Sequence, residues 1–209
     1  MKDTLSLVAH GPVIPVIVIE RLADAVPLAE ALLAGGVRVL EVTLRTPVAL
    51  DCIEAIVRSV PEAIVVAGTV RSPRDAVAAR NAGCEYAVSP GYTHELGEAC
   101  RSADLALLPG VATASEVMAA QADGIGFMKF FPATAAGGIP MLKALAGPFG
   151  DVVFCPTGGI TPATAPDFLA LPNVRVCGGS WLTPGDAVAA GDWARITRLA
   201  RESGALRPR

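Results

Sequence analysis

The chain has 209 residues, 52% hydrophobic and 18% charged, a balance that calls for a large buried core and excludes a disordered polymer. Its formal net charge of -3 leaves no basic surplus to hold a phosphodiester backbone, which excludes nucleic acid as an expected partner. The basic residues are 14 Arg and only three Lys (Lys2, Lys129, Lys143); with His10 and His94 as the only histidines, no His-rich metal site can be built, and neither metal nor cofactor is expected.

Residues 1–10 read as a short extra helix. With Asp3 near the start and no cationic segment or A-x-A site, they do not resemble a secretory signal. Val13–Ile19 is apolar but short, contains Pro15 and is followed by Glu20 and Arg21. No run approaches the roughly 18 apolar residues of a membrane span. The mean hydropathy of +0.50 is therefore assigned to the interior, with no membrane partner expected. The five cysteines are widely spaced without a C-x-x-C, as in reduced, buried thiols of a cytoplasmic protein.

Apolar runs recur about every twenty residues, centred near Val16, Leu40, Val65, Ala87, Leu107, Met128, Val153 and Val176. Between them lie helical periodicities: Leu22–Leu33, Ala49–Val57, Pro73–Ala82, Glu95–Arg101, Ala114–Ala122, Ile139–Ala146, Pro162–Leu169 and Pro184–Ala190. Ser72-Pro73, Thr161-Pro162 and Thr183-Pro184 read as helix starts, and Gly35-Gly36 and Gly83 as stops. Because the runs are apolar throughout rather than alternating, they read as parallel strands covered on both faces. Eight such repeats predict an α/β fold, a single (β/α)8 TIM barrel over residues 1–209, with a doubly wound open sheet as the alternative. Asp192–Glu202 reads as a last helix, and 203–209 as a polar, mobile tail.

In such a barrel, active groups sit at the carboxyl ends of strands. Polar residues interrupt the runs at few places. In Leu40-Glu41-Val42-Thr43-Leu44-Arg45, a period of two puts Glu41, Thr43 and Arg45 on the inner face, either as a structural ion pair or as chemistry. In Phe127-Met128-Lys129-Phe130-Phe131, the same parity turns Phe127, Lys129 and Phe131 inward. A chain that uses Arg almost everywhere else would use it for an ion pair here too. A desolvated lysine offers what Arg cannot, an amine that attacks a carbonyl, although a paired or snorkelling lysine is the plainer reading. Gly158-Gly159 and Gly178-Gly179-Ser180 follow the last two strands, where barrels often hold phosphate on bare N–H groups; turns needing φ > 0 would use the same glycines. Thr69 after Ala67-Gly68, and Pro90 within Ser89-Pro90-Gly91, lie at the mouth as a hydroxyl and a sharp turn, or only as a cap and a turn.

The segments from Gly36 to Arg45 and from Gly124 to Pro132 resemble the two signatures of the 2-keto-3-deoxy-6-phosphogluconate (KDPG) / 4-hydroxy-2-oxoglutarate (KHG) aldolase family. Ala67-Gly68-Thr69-Val70, Ser89-Pro90-Gly91, Cys155-Pro156-Thr157-Gly158-Gly159-Ile160 and Gly178-Gly179-Ser180-Trp181 resemble it in the same order. The resemblance implies a metal-independent class I aldolase, generally a homotrimer, acting on a phosphorylated keto-acid. It implies that Lys129 forms the Schiff base and that Glu41 shuttles protons. It further implies that Arg45 and Thr69 hold the pyruvyl carboxylate beside Lys129, and that Gly158, Gly159, Gly179 and Ser180 hold the phosphate. Pro90, Phe131 and Thr157 are expected to line the pocket. A phosphosugar isomerase, or a non-catalytic phosphometabolite binder in which Glu41, Arg45 and Lys129 form a structural triad, would share the phosphate loops.

Overall fold

A computed structural model describes residues 2–206. The strands are β1 (Val13–Ile17), β2 (Val39–Thr43), β3 (Ile64–Gly68), β4 (Tyr86–Val88), β5 (Ala106–Leu108), β6 (Gly110–Val111), β7 (Phe127–Phe130), β8 (Val153–Pro156) and β9 (Cys177–Gly179). The helices are α1 (Ala25–Ala34), α2 (Ala49–Ser59), α3 (Pro73–Asn81), α4 (His94–Ser102), α5 (Ala114–Ala122), α6 (Gly138–Ala146), α7 (Ala165–Leu169), α8 (Gly185–Ala190) and α9 (Trp193–Gly204). The expected N-terminal helix is a 3-10 helix, Thr4–His10, and a second one, Leu22–Asp24, leads into α1.

Every apolar run becomes a strand, and every strand pair is parallel. The ladder is not the single uninterrupted one expected of a barrel. A curled six-stranded sheet runs β5-β4-β3-β2-β1-β9, and a three-stranded sheet runs β6-β7-β8. Pro109 splits the fifth run, because it has no N–H to give, although its carbonyl still accepts from the Lys129 N–H at 2.8 Å. On the other side, isolated bridges join Phe154 to Val174 and Thr157 to Gly178.

Side-chain alternation separates two environments. Ile14, Val39, Val66, Val88, Leu108, Phe127, Cys155 and Val176 form one buried cluster on the concave face, closed from below by Leu7 of the 3-10 helix. Leu40 and Val42 pack outward on Cys52, Ile53 and Ile56 of α2, and Met128 and Phe130 pack outward among helix residues such as Leu142 and Phe168. Phe130 and Phe154 meet edge to face at 6.4 Å between centroids.

Local chemistry sets the helix ends. The Ser72 hydroxyl accepts from the Asp75 N–H, with Pro73 in the first turn. Thr113 and Glu116 form a reciprocal capping box. Two expected starts are displaced. The hydroxyls of Thr161 and Thr164 bond each other and the local backbone, a turn that competes with helix, so α7 opens only at Ala165. Thr183 does not cap; α8 opens after Pro184, without a side-chain cap. The expected mobile tail is also corrected at its start. The α9 helix runs on to Gly204, Ser203 is buried, and its hydroxyl accepts from the Trp181 indole at 2.9 Å. Residues 207–209 lie outside the described residues.

Candidate active site

The parity expected for β2 and β7 brings two charges together from strands far apart in sequence. Glu41 and Lys129 both lie on the inner face, and the Lys129 Nζ donates to Glu41 Oε1 at 3.0 Å. Their side chains are 4% and 5% exposed. The ammonium also stands 5.3 Å from the centre of the Phe131 ring. Cys155, paired with Lys129 across β7 and β8, is a buried thiol. Burial pushes it up to about 12, against the opposing pull of the Lys129 charge, so it stays protonated and does not compete as a nucleophile.

Room for the Glu41 carboxylate comes from Gly68 at the end of β3. A Cβ on Gly68 would lie 2.7 Å from Glu41 Cγ and from its Oε1. No spacing rule singles this glycine out, because the contact crosses from β2 to β3. The next residue, Thr69, has φ 62, a left-handed conformation costly for a β-branched side chain. Its hydroxyl accepts from the Arg45 Nε at 3.1 Å. Arg45 is exposed where Glu41 is buried, so the guanidinium remains accessible at the mouth. Thr43, two residues after Glu41 in β2, donates its hydroxyl to the Ile17 carbonyl at 2.8 Å and ties β2 to β1.

The glycine turns also adjoin. The Thr157–Gly178 bridge links the loop of Gly158 (φ 103) and Gly159 (φ 76) to β9. Gly178 abuts the Thr157 side chain, and Gly179 abuts the Trp181 ring, so neither has space for a Cβ. Ser180 is exposed and lines a cavity of about 550 Å³ between the ends of β1 and β9. Gly158 and Gly159 do not line that cavity. Pro90 is held over Gly110, where a side chain would strike the Pro90 backbone. The buried Ser89 hydroxyl fixes that turn by donating to the Gly91 carbonyl at 2.6 Å. Among the described residues, no three His, Cys, Asp or Glu side chains cluster as a metal site.

The cavity wall holds residues that sequence reasoning passed over. Val16 lies in β1, and Val18, Glu20, Arg21 and Asp24 follow its end; all five line the cavity. Glu20 and Arg21 had signified only the end of an apolar run. No strand alternation marks Glu20, which lies beyond Ile17, the last residue of β1.

The sequence profile described as KDPG and KHG aldolase matches residues 5–199. The KHG/KDPG aldolase of Escherichia coli (strain K12) is 54% identical over 198 residues, covering 95% of this chain and 93% of that protein. A Legionella pneumophila KDPG aldolase, crystallised with pyruvate captured as a covalent carbinolamine, superposes with a TM-score of 0.94 at 49% identity, covering 96% of this chain and 97% of that one. A Zymomonas mobilis 2-keto-3-deoxy-6-phosphogluconate aldolase, crystallised with 3-phosphoglycerate, gives 0.93 at 50% identity, covering 100% and 98%. With the profile spanning nearly its whole length, the chain belongs to the KDPG and KHG aldolase family.

Proposed function

We propose that this protein is a class I aldolase that cleaves 2-keto-3-deoxy-6-phosphogluconate to pyruvate and glyceraldehyde 3-phosphate through a Schiff base on Lys129. It also takes 4-hydroxy-2-oxoglutarate, giving pyruvate and glyoxylate. The observation that carries the proposal is the buried Lys129–Glu41 contact at 3.0 Å, with Arg45 and Thr69 paired on the neighbouring strand ends. The carbinolamine of the Legionella relative and the names of the curated relatives support it.

The Lys129 amine attacks the C2 carbonyl carbon, and the carbonyl oxygen takes up a proton to give a carbinolamine. Loss of water leaves a protonated imine. Glu41, at hydrogen-bond distance from the nitrogen, carries the protons of both steps. The imine then accepts the electron pair of the C3–C4 bond as it breaks, forming an enamine. The C4 hydroxyl proton passes to the base, and the aldehyde leaves. Protonation at C3 and hydrolysis release pyruvate and restore the amine. Arg45 and Thr69 hold the carboxylate and so fix C2 against Nζ. Phe131, Thr157 and Pro90 shape the pocket. Gly158, Gly159, Gly179 and Ser180 hold the phosphate, whose binding orients the chain far from the breaking bond.

Two further expectations belong to this proposal. The two sheets are arcs of one closed (β/α)8 barrel in a single domain, supported by the lone residue Pro109 between β5 and β6 and by the bridges from β8 toward β9. The enzyme works as a cytoplasmic homotrimer, which sedimentation of the purified protein checks. The direct test of the chemistry is trapping. Incubation with pyruvate and borohydride should add one reduced pyruvyl group to the peptide holding Lys129. An unmodified Lys129 peptide at saturating pyruvate would reject the Schiff base and favour an isomerase or a binder.

A further inference from the structure

The wall of the cavity beside Ser180 contains a charge arrangement that the proposed mechanism does not use. Arg21 donates through Nε and Nη2 to both carboxylate oxygens of Asp24, each at 2.8 Å. The Asp24 side chain is 9% exposed and the Arg21 side chain 61% exposed. A buried carboxylate thus fixes the orientation of an exposed guanidinium, which keeps further N–H donors. Glu20, exposed, lines the same cavity. Without Arg21, a phosphate at Ser180 would face two carboxylates, Glu20 and Asp24, across one cavity.

We infer that Arg21 determines specificity for the phosphorylated end of the substrate, with Asp24 as its positioning residue and Glu20 as an opposing charge. The inference rests on the proposed phosphate role of Ser180. Position supports it. β1 lies between β2 and β9, with Val16 beside Glu41 on one side and Pro15 beside Gly179 on the other. The cavity, which Val16 lines, therefore begins one strand away from Glu41 and reaches Ser180. Arg21 lines the cavity beside Ser180, whereas Arg45 and Thr69, which pair with each other, do not. A charge-assisted hydrogen bond to a phosphate dianion is the interaction its free donors fit.

The test compares kcat/KM for 2-keto-3-deoxy-6-phosphogluconate with that for the same keto-acid lacking the phosphate. Arg21→Gln should lower this ratio about tenfold to hundredfold, through KM for the phosphorylated substrate. Arg21→Lys should restore part of it. Glu20→Gln should raise the ratio. The double variant Arg21→Gln/Asp24→Asn removes the buried carboxylate's charge along with its partner, so a folded protein is available if the single variant is unstable. Ser180→Ala separates the outcomes. If it lowers the ratio and Arg21→Gln does not, the role of Arg21 is overturned while the phosphate loop stands. If neither variant moves the ratio, the phosphate loop itself is wrong, and the role of Arg21 falls with it. An equal loss on both substrates in Arg21→Gln also overturns the inference.

Discussion

Lys129 and Glu41 are 88 residues apart in sequence, yet Nζ and Oε1 lie 3.0 Å apart in the interior. The contact sets an amine and a carboxylate one hydrogen bond apart, as the proposed nucleophile and proton carrier require. Lys129→Arg keeps the charge but not the removable proton, so borohydride trapping and turnover should both fall to background. Glu41→Gln keeps the amine, so a slow adduct should still form while kcat drops about 10²- to 10⁴-fold. Because removing one member of a buried pair costs about 3–5 kcal/mol, melting curves should accompany both assays. An active Lys129→Arg enzyme would be incompatible with the mechanism.

Gly68 is the cheapest way to displace that carboxylate without altering either charge. In Gly68→Ala the new methyl would stand 2.7 Å from Glu41 Oε1. The side chain must move, at a cost of about 1–3 kcal/mol in stability. The expected result is a fall in kcat of tenfold or more, with trapping of pyruvate slowed. Wild-type kinetics in this variant would mean that Glu41 works from a position other than the one observed.

Thr69 trades stability for a hydroxyl. Left-handed backbone costs an L side chain about 1–2 kcal/mol, and glycine does not incur that cost. Thr69→Gly should therefore melt above Thr69→Ala, which keeps the strain. Both lose the acceptor of Arg45 Nε, so both should raise KM for pyruvate about tenfold in the condensation direction. Calorimetry and initial rates check the two halves independently, and a Gly variant less stable than the Ala variant would refute the strain.

The end of the chain is structural as far as Ser203. Its hydroxyl satisfies the Trp181 indole, and α9 packs against α1, where Gly35 abuts Ala200. Ser203→Ala should cost about 1–3 kcal/mol. For a protein of this size, that lowers Tm by about 2–4 °C per kcal/mol. Thermal scans that coincide with wild type would show the contact to be dispensable.

Burial also links stability to alkaline pH. It raises the thiols of Cys84 and Cys155 to about 12, and those of Cys52 and Cys100 to about 11, from an ordinary 9.0. Up to about pH 8 both folded and unfolded thiols hold their protons, and stability is unaffected. Above it the unfolded chain binds fewer protons than the folded one, so stability falls as pH rises toward 11–12, by up to about 1.4 kcal/mol per pH unit for each thiol. Urea midpoints at pH 7, 8 and 10 should decline chiefly in the last step, and a disulfide reagent should label the thiols only after unfolding. Rapid labelling of the folded protein at pH 8 would contradict this.

The amino-acid sequence by itself determined the strand positions, their parallel character and the inward face of Lys129. Each rests on local information: apolar run length, period-two parity, and the use of Lys at one buried place in a chain that otherwise uses Arg. The family resemblance then assigned roles to Glu41, Arg45 and Thr69. Tertiary structure decided what depends on contacts across strands and between loops. It set Gly68 against the Glu41 carboxylate, bonded Thr43 to the Ile17 carbonyl, and docked Ser203 on Trp181. It also joined Glu20, Arg21 and Asp24 with Ser180 around one cavity. Periodicity reports which face a residue takes. It carries no information on which distant residue shares that face, because that follows from how the sheet curls and how closely two backbones approach.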